Sequence, residues 1–365
     1  MGSVYTVKVV GTNLAPADFD ALKKEVDARL KEINRQMSHY EPESELSRFN
    51  RARANTPFKI SAEFARAMRD DAVATQNLAE EIQARGVALA GINQAIYHLL
   101  HTRQQKEEDS NPDAVPVDTP APWLPDGTWH EEPYGGGTYG VRMIDEGGKI
   151  SLNRADEALL RKVFETLGLD AKAQEEVVDA ILDWRDPDDL HRLHGAENEY
   201  YQKLPEPYRA KNGPFDSVDE LLQVRGITRE LFFGTRDRGL GADEAPVIPL
   251  REVFSVFNRS ANINVRTAPV AVLRVVLGGE EAAVEEILTA RDEDPSSVLG
   301  LIRAKVADQV LGRRLVDRTS STVAIEARAM MQNGRVQARL GAVVDVPEDA
   351  DGFHIARWYD RLPAF

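Results

Sequence analysis

From Ala62 to about Leu100 a helical pattern continues almost without a break, with Val73, Leu78, Ile82, Leu89, Ile92, Ile96 and Leu99 at its apolar positions. So long an amphipathic helix needs a surface to cover its apolar side, and the rest of the chain has to supply it. Ile82, Leu89, Ile92 and Ile96 are the expected core-side positions. Ser61 is placed to cap this helix, with Phe64 opening its apolar side. Upstream, Tyr5–Val10 reads as a strand closed by Gly11. Pro16 to about Met37 reads as a helix, carried by Leu22, Val26, Leu30, Ile33 and Met37. Ser44–Asn50 reads as a short helix or turn. Downstream, Thr102–Pro122 is rich in Asp, Glu, Gln and Pro and reads as a flexible surface loop.

The surface that covers the helix is expected from strands. Gly136–Leu152 reads as a hairpin: Tyr139, Val141 and Met143 alternate, Glu146-Gly147-Gly148 turns, and Ile150 and Leu152 begin the return. Thr322–Met331, a turn at Asn333-Gly334 and Val336–Val346 read as a second pair, and Phe353–Tyr359 as a last strand. Residues 153–316 are mostly helical between them. Strands and helices are segregated, which gives an α+β fold class. An internal repeat lies inside the helical stretch. Ile150-Ser-Leu-Asn-Arg-Ala155 matches Ile263-Asn-Val-Arg-Thr-Ala268, and each leads to a second helix ending in Ile181-Leu-Asp-Trp-Arg-Asp186 or Ile287-Leu-Thr-Ala-Arg-Asp292. A strand-like entry therefore leads twice into a helix-turn-helix lobe.

Composition removes several function classes. The formal charge is −15, from 45 basic and 60 acidic residues. Residues 1–71 hold roughly 12 basic and 11 acidic residues, so nearly all the acidity lies beyond Asp71. An acidic body repels phosphate backbones, and Leu221-Leu-Gln-Val-Arg-Gly-Ile-Thr228 lacks the second glycine of a phosphate-binding hairpin turn, so no nucleic-acid partner is expected. With no cysteine there is neither a disulfide nor a thiolate metal site. His98 and His101 have a zinc-compatible spacing but no nearby carboxylate ligand. No Gly-x-Ser-x-Gly phrase or Walker loop is present, and no catalytic residue is expected. No apolar run approaches the ~20 residues of a membrane span, and Met1–Val10 does not read as a signal peptide.

Several phrases resemble one family in order and spacing. They are Tyr139-Gly-Val-Arg-Met-Ile-Asp-Glu-Gly-Gly-Lys-Ile-Ser-Leu-Asn153, Leu182-Asp-Trp-Arg-Asp-Pro-Asp188, Gly195-Ala-Glu-Asn-Glu-Tyr-Tyr201, Asn212-Gly-Pro-Phe-Asp-Ser-Val-Asp-Glu-Leu221, Val224-Arg-Gly-Ile227 and Ile263-Asn-Val-Arg-Thr-Ala-Pro269. With Ala72–Leu100 as its long helix, the chain from about residue 71 resembles the type II secretion minor pseudopilin K. The resemblance implies a non-enzymatic protein at the tip of a periplasmic pseudopilus, joined with the I and J minor pseudopilins. It implies a pilin-like core, formed by the long helix and an antiparallel sheet, interrupted by a large helical insertion, and calcium bound in the soluble region. It also implies an inner-membrane anchor, for which the sequence shows no segment. The expected divisions are residues 71–152 for helix, acidic loop and hairpin, 153–316 for the insertion with its two lobes, and 317–365 for the C-terminal strands.

Residues 1–70 resemble a different family. Met1-Gly-Ser-Val-Tyr-Thr-Val-Lys-Val9 and Ile33-Asn-Arg-Gln-Met-Ser-His-Tyr-Glu-Pro-Glu-Ser-Glu-Leu-Ser-Arg-Phe-Asn50 are similar to the start of FAD:protein FMN transferase. The chain therefore reads as a fusion with a junction near Glu63–Asp71. Such a transferase needs a metal and a flavin pocket, and its later Gly-Gly-Asp and His-Ile-x-Asp-Pro phrases have no counterpart beyond Asp71. A fragment of that enzyme is the alternative reading.

One acidic cluster stands out. Asp183, Asp186, Asp188 and Asp189 crowd a helix exit, and Glu197 and Glu199 follow after a short loop. Carboxylates this close repel unless they are solvated or bridged by a cation. Counting from Asp186, Asp188 and Glu197 fall at the third and twelfth places of an EF-hand, but Leu190 and His191 occupy the fifth and sixth, so an EF-hand is excluded. The residues alone fit either a solvated acidic loop or an irregular calcium loop. The family resemblance favours calcium, with these six residues as candidate ligands.

Overall fold

The computed structural model describes residues 16–38, 40–53, 62–109, 123–234, 248–331, 336–347 and 352–362. The strand expected at Tyr5–Val10, the Ser61 cap, the Asn333-Gly334 turn and most of the acidic loop lie outside them. The chain divides into two compact units, Met1–Glu80 and Glu81–Phe365.

The first unit contains α1 (Pro16–Met37) and α2 (Glu45–Arg51). Ser44 starts α2 by accepting the Ser47 amide on its hydroxyl at 3.0 Å, one of the orphan donors of a helix N-terminus.

The second unit is organised by α3 (Ala62–Asp109), whose residues from Glu81 onward belong to it. α3 runs past Leu100, where the sequence suggested a loop. The reason is propensity: Thr102-Arg-Gln-Gln-Lys-Glu-Glu-Asp109 is polar but made largely of good helix formers. The face that α3 buries is built from small residues. Ala84, Val87, Ala88, Ile92, Ala95 and Ile96 pack on Tyr139, Val141 and Met143 and on the inner faces of the later strands. Ile92 and Ile96 are core residues as expected, but Ile82 is 63% exposed and Leu89 42%. Small side chains let a helix approach a sheet closely, and with Ala84, Ala88 and Ala95 on the buried face Ile82 and Leu89 are left on the outward one.

The sheet is antiparallel and five-stranded, in the order β1-β2-β7-β8-β9. Its strands are β1 (Asp126–Tyr134), β2 (Gly137–Asp145), β7 (Thr322–Met331), β8 (Val336–Asp345) and β9 (His354–Tyr359). β2 pairs with β7 through Tyr139↔Ala329, Val141↔Ala327 and Met143↔Ile325, the alternating set read from the sequence. The expected Gly136–Leu152 hairpin does not form. β2 instead makes its hairpin backwards with β1, across Gly135 and Gly136, which both take positive φ. Such a turn matches the twist of antiparallel strands and needs glycine. β1 escaped notice because Asp126-Gly-Thr-Trp-His-Glu-Glu-Pro-Tyr134 is mostly polar and contains Pro133, as an edge strand allows. Glu146–Gly148 is a 3₁₀ turn whose Gly147 amide is held by the Asp145 side chain at 2.9 Å. β3 (Ile150–Ser151) then leaves the sheet to pair in parallel with β4 (Phe254–Ser255).

The stretch between β2 and β7 is mainly helical: α4 (Glu157–Thr166), α5 (Ala171–Arg185), α6 (Asn198–Tyr201), α7 (Arg229–Phe233), α8 (Leu250–Val253), α9 (Val270–Val276), α10 (Glu281–Glu293), α11 (Val298–Lys305) and α12 (Gln309–Arg314). The two matching sequence phrases make matching bonds. β5 (Ile263–Asn264) pairs in parallel with β6 (Leu315–Val316), as β3 does with β4. Arg185 donates to the carbonyls of Leu152 and Ala155 at 2.8 and 2.7 Å, and Arg291 donates to that of Val265 at 3.0 Å. Each arginine ties the end of its second helix to the turn that opens its segment. Burial pulls both guanidiniums below their usual range. Arg185→Ala would strand two carbonyls, so a loss of about 2–3 kcal/mol is expected in urea unfolding; a change below about 0.5 kcal/mol would show that the tie is ornamental.

Candidate metal centre

α5 ends because its next residues favour loop over helix: Asp186 takes an extended conformation and Pro187 follows. Trp184 anchors that end, buried against the rings of Tyr201, Tyr208 and Phe215, with its carbonyl accepting the Gly213 amide at 3.3 Å. The loop from Asp186 returns over this floor, and Glu197 stands as the residue before α6.

Asp186, Asp188 and Glu197 each present a carboxylate oxygen, and the three oxygens lie within 4.8 Å of one another. Ligands at ~2.3–2.6 Å from a calcium ion lie at most ~5 Å apart across it, so the spacing fits one coordination sphere. The stronger sign is hydrogen bonding. Glu197 is 3% exposed, and both its carboxylate oxygens are buried without a hydrogen-bond partner. Asp186 Oδ1 is buried and unpartnered too. Orphaned buried carboxylate oxygens cost several kcal/mol unless something compensates them. Burial, reinforced by Asp183, Asp186, Asp189 and Asp188, pushes the Glu197 carboxyl up to about 7. Burial and Asp188 likewise raise Asp186.

The other three candidates have different partners. Asp183 is fully buried and accepts the Arg192 amide on both oxygens, at 3.2 and 3.1 Å, with Arg192 Nε at 3.6 Å; burial pushes it up to about 6. Asp189 accepts the backbone amide and side-chain amide of Asn198 at 3.3 and 2.9 Å. Glu199 is exposed and paired with Lys203 at 2.5 Å. These residues shape the loop, whereas the first three converge. One residue bonded to this loop escaped the sequence reading. Asn212 sits at φ +47, donates its amide N–H to the Asp188 carbonyl, and leaves Oδ1 buried without a partner. The Asn212-Gly213 dipeptide, a signature of left-handed turns, was the available signal.

Gly195 closes the loop against Asp183. A Cβ there would lie 1.8 Å from Asp183 Oδ2, so Gly195→Ala forces the loop away from α5. A loss of roughly 2–4 kcal/mol is expected in thermal or urea unfolding; an unchanged midpoint would mean the loop is not held this way. His98 and His101 lie elsewhere, on α3: His98 stacks on Trp123 and His101 on Tyr97.

Comparison with known proteins places these features. The family described as Type II secretion system (T2SS), protein K matches residues 141–234, which contain the whole carboxylate loop. The ApbE family matches residues 1–80. Type II secretion system protein K of Pseudomonas aeruginosa is 28% identical over 169 residues, 44% of this chain and 46% of that protein. That of Pectobacterium carotovorum is 34% identical over 74 residues, 20% of this chain and 23% of that protein. FAD:protein FMN transferase of Haemophilus influenzae is 41% identical over 71 residues, 19% of this chain and 20% of that enzyme. The chain thus spans between a fifth and just under half of these relatives. A chain from the crystal structure of the GspK-GspI-GspJ complex of enterotoxigenic Escherichia coli superposes with a TM-score of 0.51 at 14% identity, covering 81% of this chain and 100% of that one. The fold is therefore a mixed α+β fold shared with that chain. Both resemblances read from the sequence hold: protein K over the central segment, and the flavin transferase family over the N-terminal one.

Proposed function

We propose that this chain works as a minor pseudopilin of the type II secretion system, of the protein K kind, at the tip of a periplasmic pseudopilus with the I and J minor pseudopilins. One observation carries the reading: a long helix lies on an antiparallel sheet that is interrupted between β2 and β7 by a helical insertion, and the protein K similarity begins in β2 and runs into that insertion. In this reading α3, β1, β2 and β7–β9 form a pilin-like core, and 153–316 is the insertion with two repeated lobes, opened by β3 and β5. The work of such a protein is assembly rather than catalysis, in the periplasm at the inner membrane. Among the described residues no helix is long and apolar enough to cross a membrane.

Calcium belongs to the same reading. Asp186, Asp188 and Glu197 would hold the ion, with Asn212 Oδ1 as a neutral fourth oxygen, a hard-oxygen donor set suited to calcium. It would supply positive charge to a loop that otherwise buries unpaired carboxylates. The partner face is the outward side of α3. Ile82 and Leu89 stand exposed there, with Gly86 between them and nothing within 4 Å of the place its Cβ would occupy. A notch flanked by apolar side chains lets a second helix approach closely. Co-purification with I and J minor pseudopilins tests the assignment.

The 41% identity at the N-terminus favours a second reading, a flavin transferase fragment. Tyr40, in the phrase shared with that family, is 84% exposed. Incubation with FAD, magnesium and an acceptor domain is expected to leave the acceptor without FMN. Covalent FMN on the acceptor would replace the assembly reading.

A further inference from the structure

The phrase Val224-Arg-Gly-Ile227 forms a tight turn beside the carboxylate loop. The chain reaches it from a 3₁₀ turn, Val218–Gln223, and the Ile227 amide closes it on the Val224 carbonyl at 3.2 Å. Gly226 takes φ +85, and a Cβ there would lie 2.6 Å from Val177 Cγ2 on α5. Glycine is what lets the turn sit that close to the helix. Val224 and Ile227 are buried there, and Arg225 reaches across to the loop.

Arg225 holds the loop on its carbonyl side. Its guanidinium donates to the Gly195 carbonyl at 3.1 Å and to that of His194 at 3.4 Å. It also meets Glu176 of α5 at 3.5 Å and lies 4.9 Å over the Tyr200 ring of α6. Its backbone amide donates to the Tyr201 hydroxyl at 3.2 Å, and Tyr201 packs edge-on against Trp184. The amide side of the same stretch is held by α5. Asp179 accepts the His194 amide at 3.1 Å, and Asp183 accepts those of Arg192, at 3.1 Å, and Ala196. Both aspartates are buried. Residues 192–196 are therefore gripped from two sides, with carboxylates on their N–H groups and a guanidinium on their carbonyls. Glu197 comes next, and its two carboxylate oxygens find no hydrogen-bond donor among the described residues. Its place is set by the backbone on either side, and Arg225 touches both: Gly195 before it and Tyr200 after it. A planar fork that bonds two carbonyls while its face stacks on a ring is work that arginine can do and lysine cannot.

We infer that Arg225 is a positioning residue for calcium: it fixes the chain on both sides of Glu197, so that Asp186, Asp188 and Glu197 converge before the ion arrives. The inference rests on the calcium reading above. A ligand already in place needs no ordering on binding, and groups that orient a metal's ligands are worth ~10–100-fold in affinity. The test is a calcium titration of the full chain by calorimetry, with amide hydrogen exchange measured in chelator. Arg225→Met should weaken calcium binding at least about tenfold. In the calcium-free protein it should also speed exchange at the His194 and Ala196 amides while the middle of α5 keeps the parent rates. Arg225→Lys keeps the stem and the charge but not the fork, so it should fold and still bind calcium several-fold more weakly than the parent. Arg291→Ala is the control: it cuts the matching tie in the second lobe, and should lower the melting temperature while leaving calcium affinity at the parent value. No calcium uptake by the unaltered chain would contradict the calcium reading itself. Uptake by the unaltered chain with equal affinity in folded Arg225→Met or Arg225→Lys, or a loss no larger than that of Arg291→Ala, would overturn the positioning role alone.

Discussion

Calcium in excess should raise the melting temperature by roughly 5 °C or more, and a chelator should reverse the rise. Occupancy at a hundredfold over the dissociation constant stabilises by ~2.7 kcal/mol, and a chain of this size shifts by a few degrees per kcal/mol. Asp186→Ala with Asp188→Ala should abolish the shift. Glu197→Gln is more telling because its two effects oppose each other. Its carboxylate is buried, unpartnered and surrounded by other acidic groups. Neutralising it should therefore stabilise the calcium-free protein while removing most of the calcium response. The pH dependence has a definite sign. A carboxyl raised to about 7 in the folded chain favours its protonated form, so the calcium-free protein gains stability as pH falls from about 7 toward the ordinary carboxylate range. That gain is lost again as pH rises through about 7. Calcium needs the ionised form, so its affinity should fall roughly tenfold per unit below about pH 7 for one released proton. Asp183, raised to about 6, adds to the same trend lower down. A titration with no heat and no change in melting would leave the loop as ordinary acidic surface.

The second large effect is expected on α3. A Cβ at Gly86 would have nothing within 4 Å among the described residues, and Gly86→Leu replaces a poor helix former, so the fold should hold or gain up to about 0.8 kcal/mol. Filling the notch should nevertheless weaken association with the I and J minor pseudopilins at least about tenfold, or ~1.4 kcal/mol. Ile82→Arg should act likewise, because its side chain is already largely in solvent. Unchanged affinity in both variants would move the partner face off this side of the helix.

Periodicity made α1, α2, β7, β8 and β9 legible, because each carries its own pattern and its own turn or cap. The Val141–Met143 alternation correctly named the inner face of β2, but its neighbours were misjudged. The sequence offers Glu146-Gly147-Gly148 as a hairpin turn, and nothing local reveals that Asp145 spends its carboxylate on Asn264 and Thr267, more than a hundred residues away. The buried face of α3 was equally hidden. Apolar spacing admits Ile82 and Leu89 to the core, whereas the close packing permitted by Ala84, Ala88 and Ala95 excludes them. At the carboxylate loop, composition identified the crowd but not which members converge. Backbone amides capture Asp183, Asn198 captures Asp189, and Lys203 captures Glu199; those choices depend on loop closure at Gly195 and on the turn at Asn212.

The most direct measurement is to mix the full chain with purified soluble I and J minor pseudopilins and determine the mass of the product by light scattering after size exclusion. A single species with one copy of each of the three proteins is expected, and it should be lost with Gly86→Leu while that variant keeps the parent melting temperature. Three separate peaks for the unaltered protein, at concentrations where I and J bind each other, would contradict the assignment.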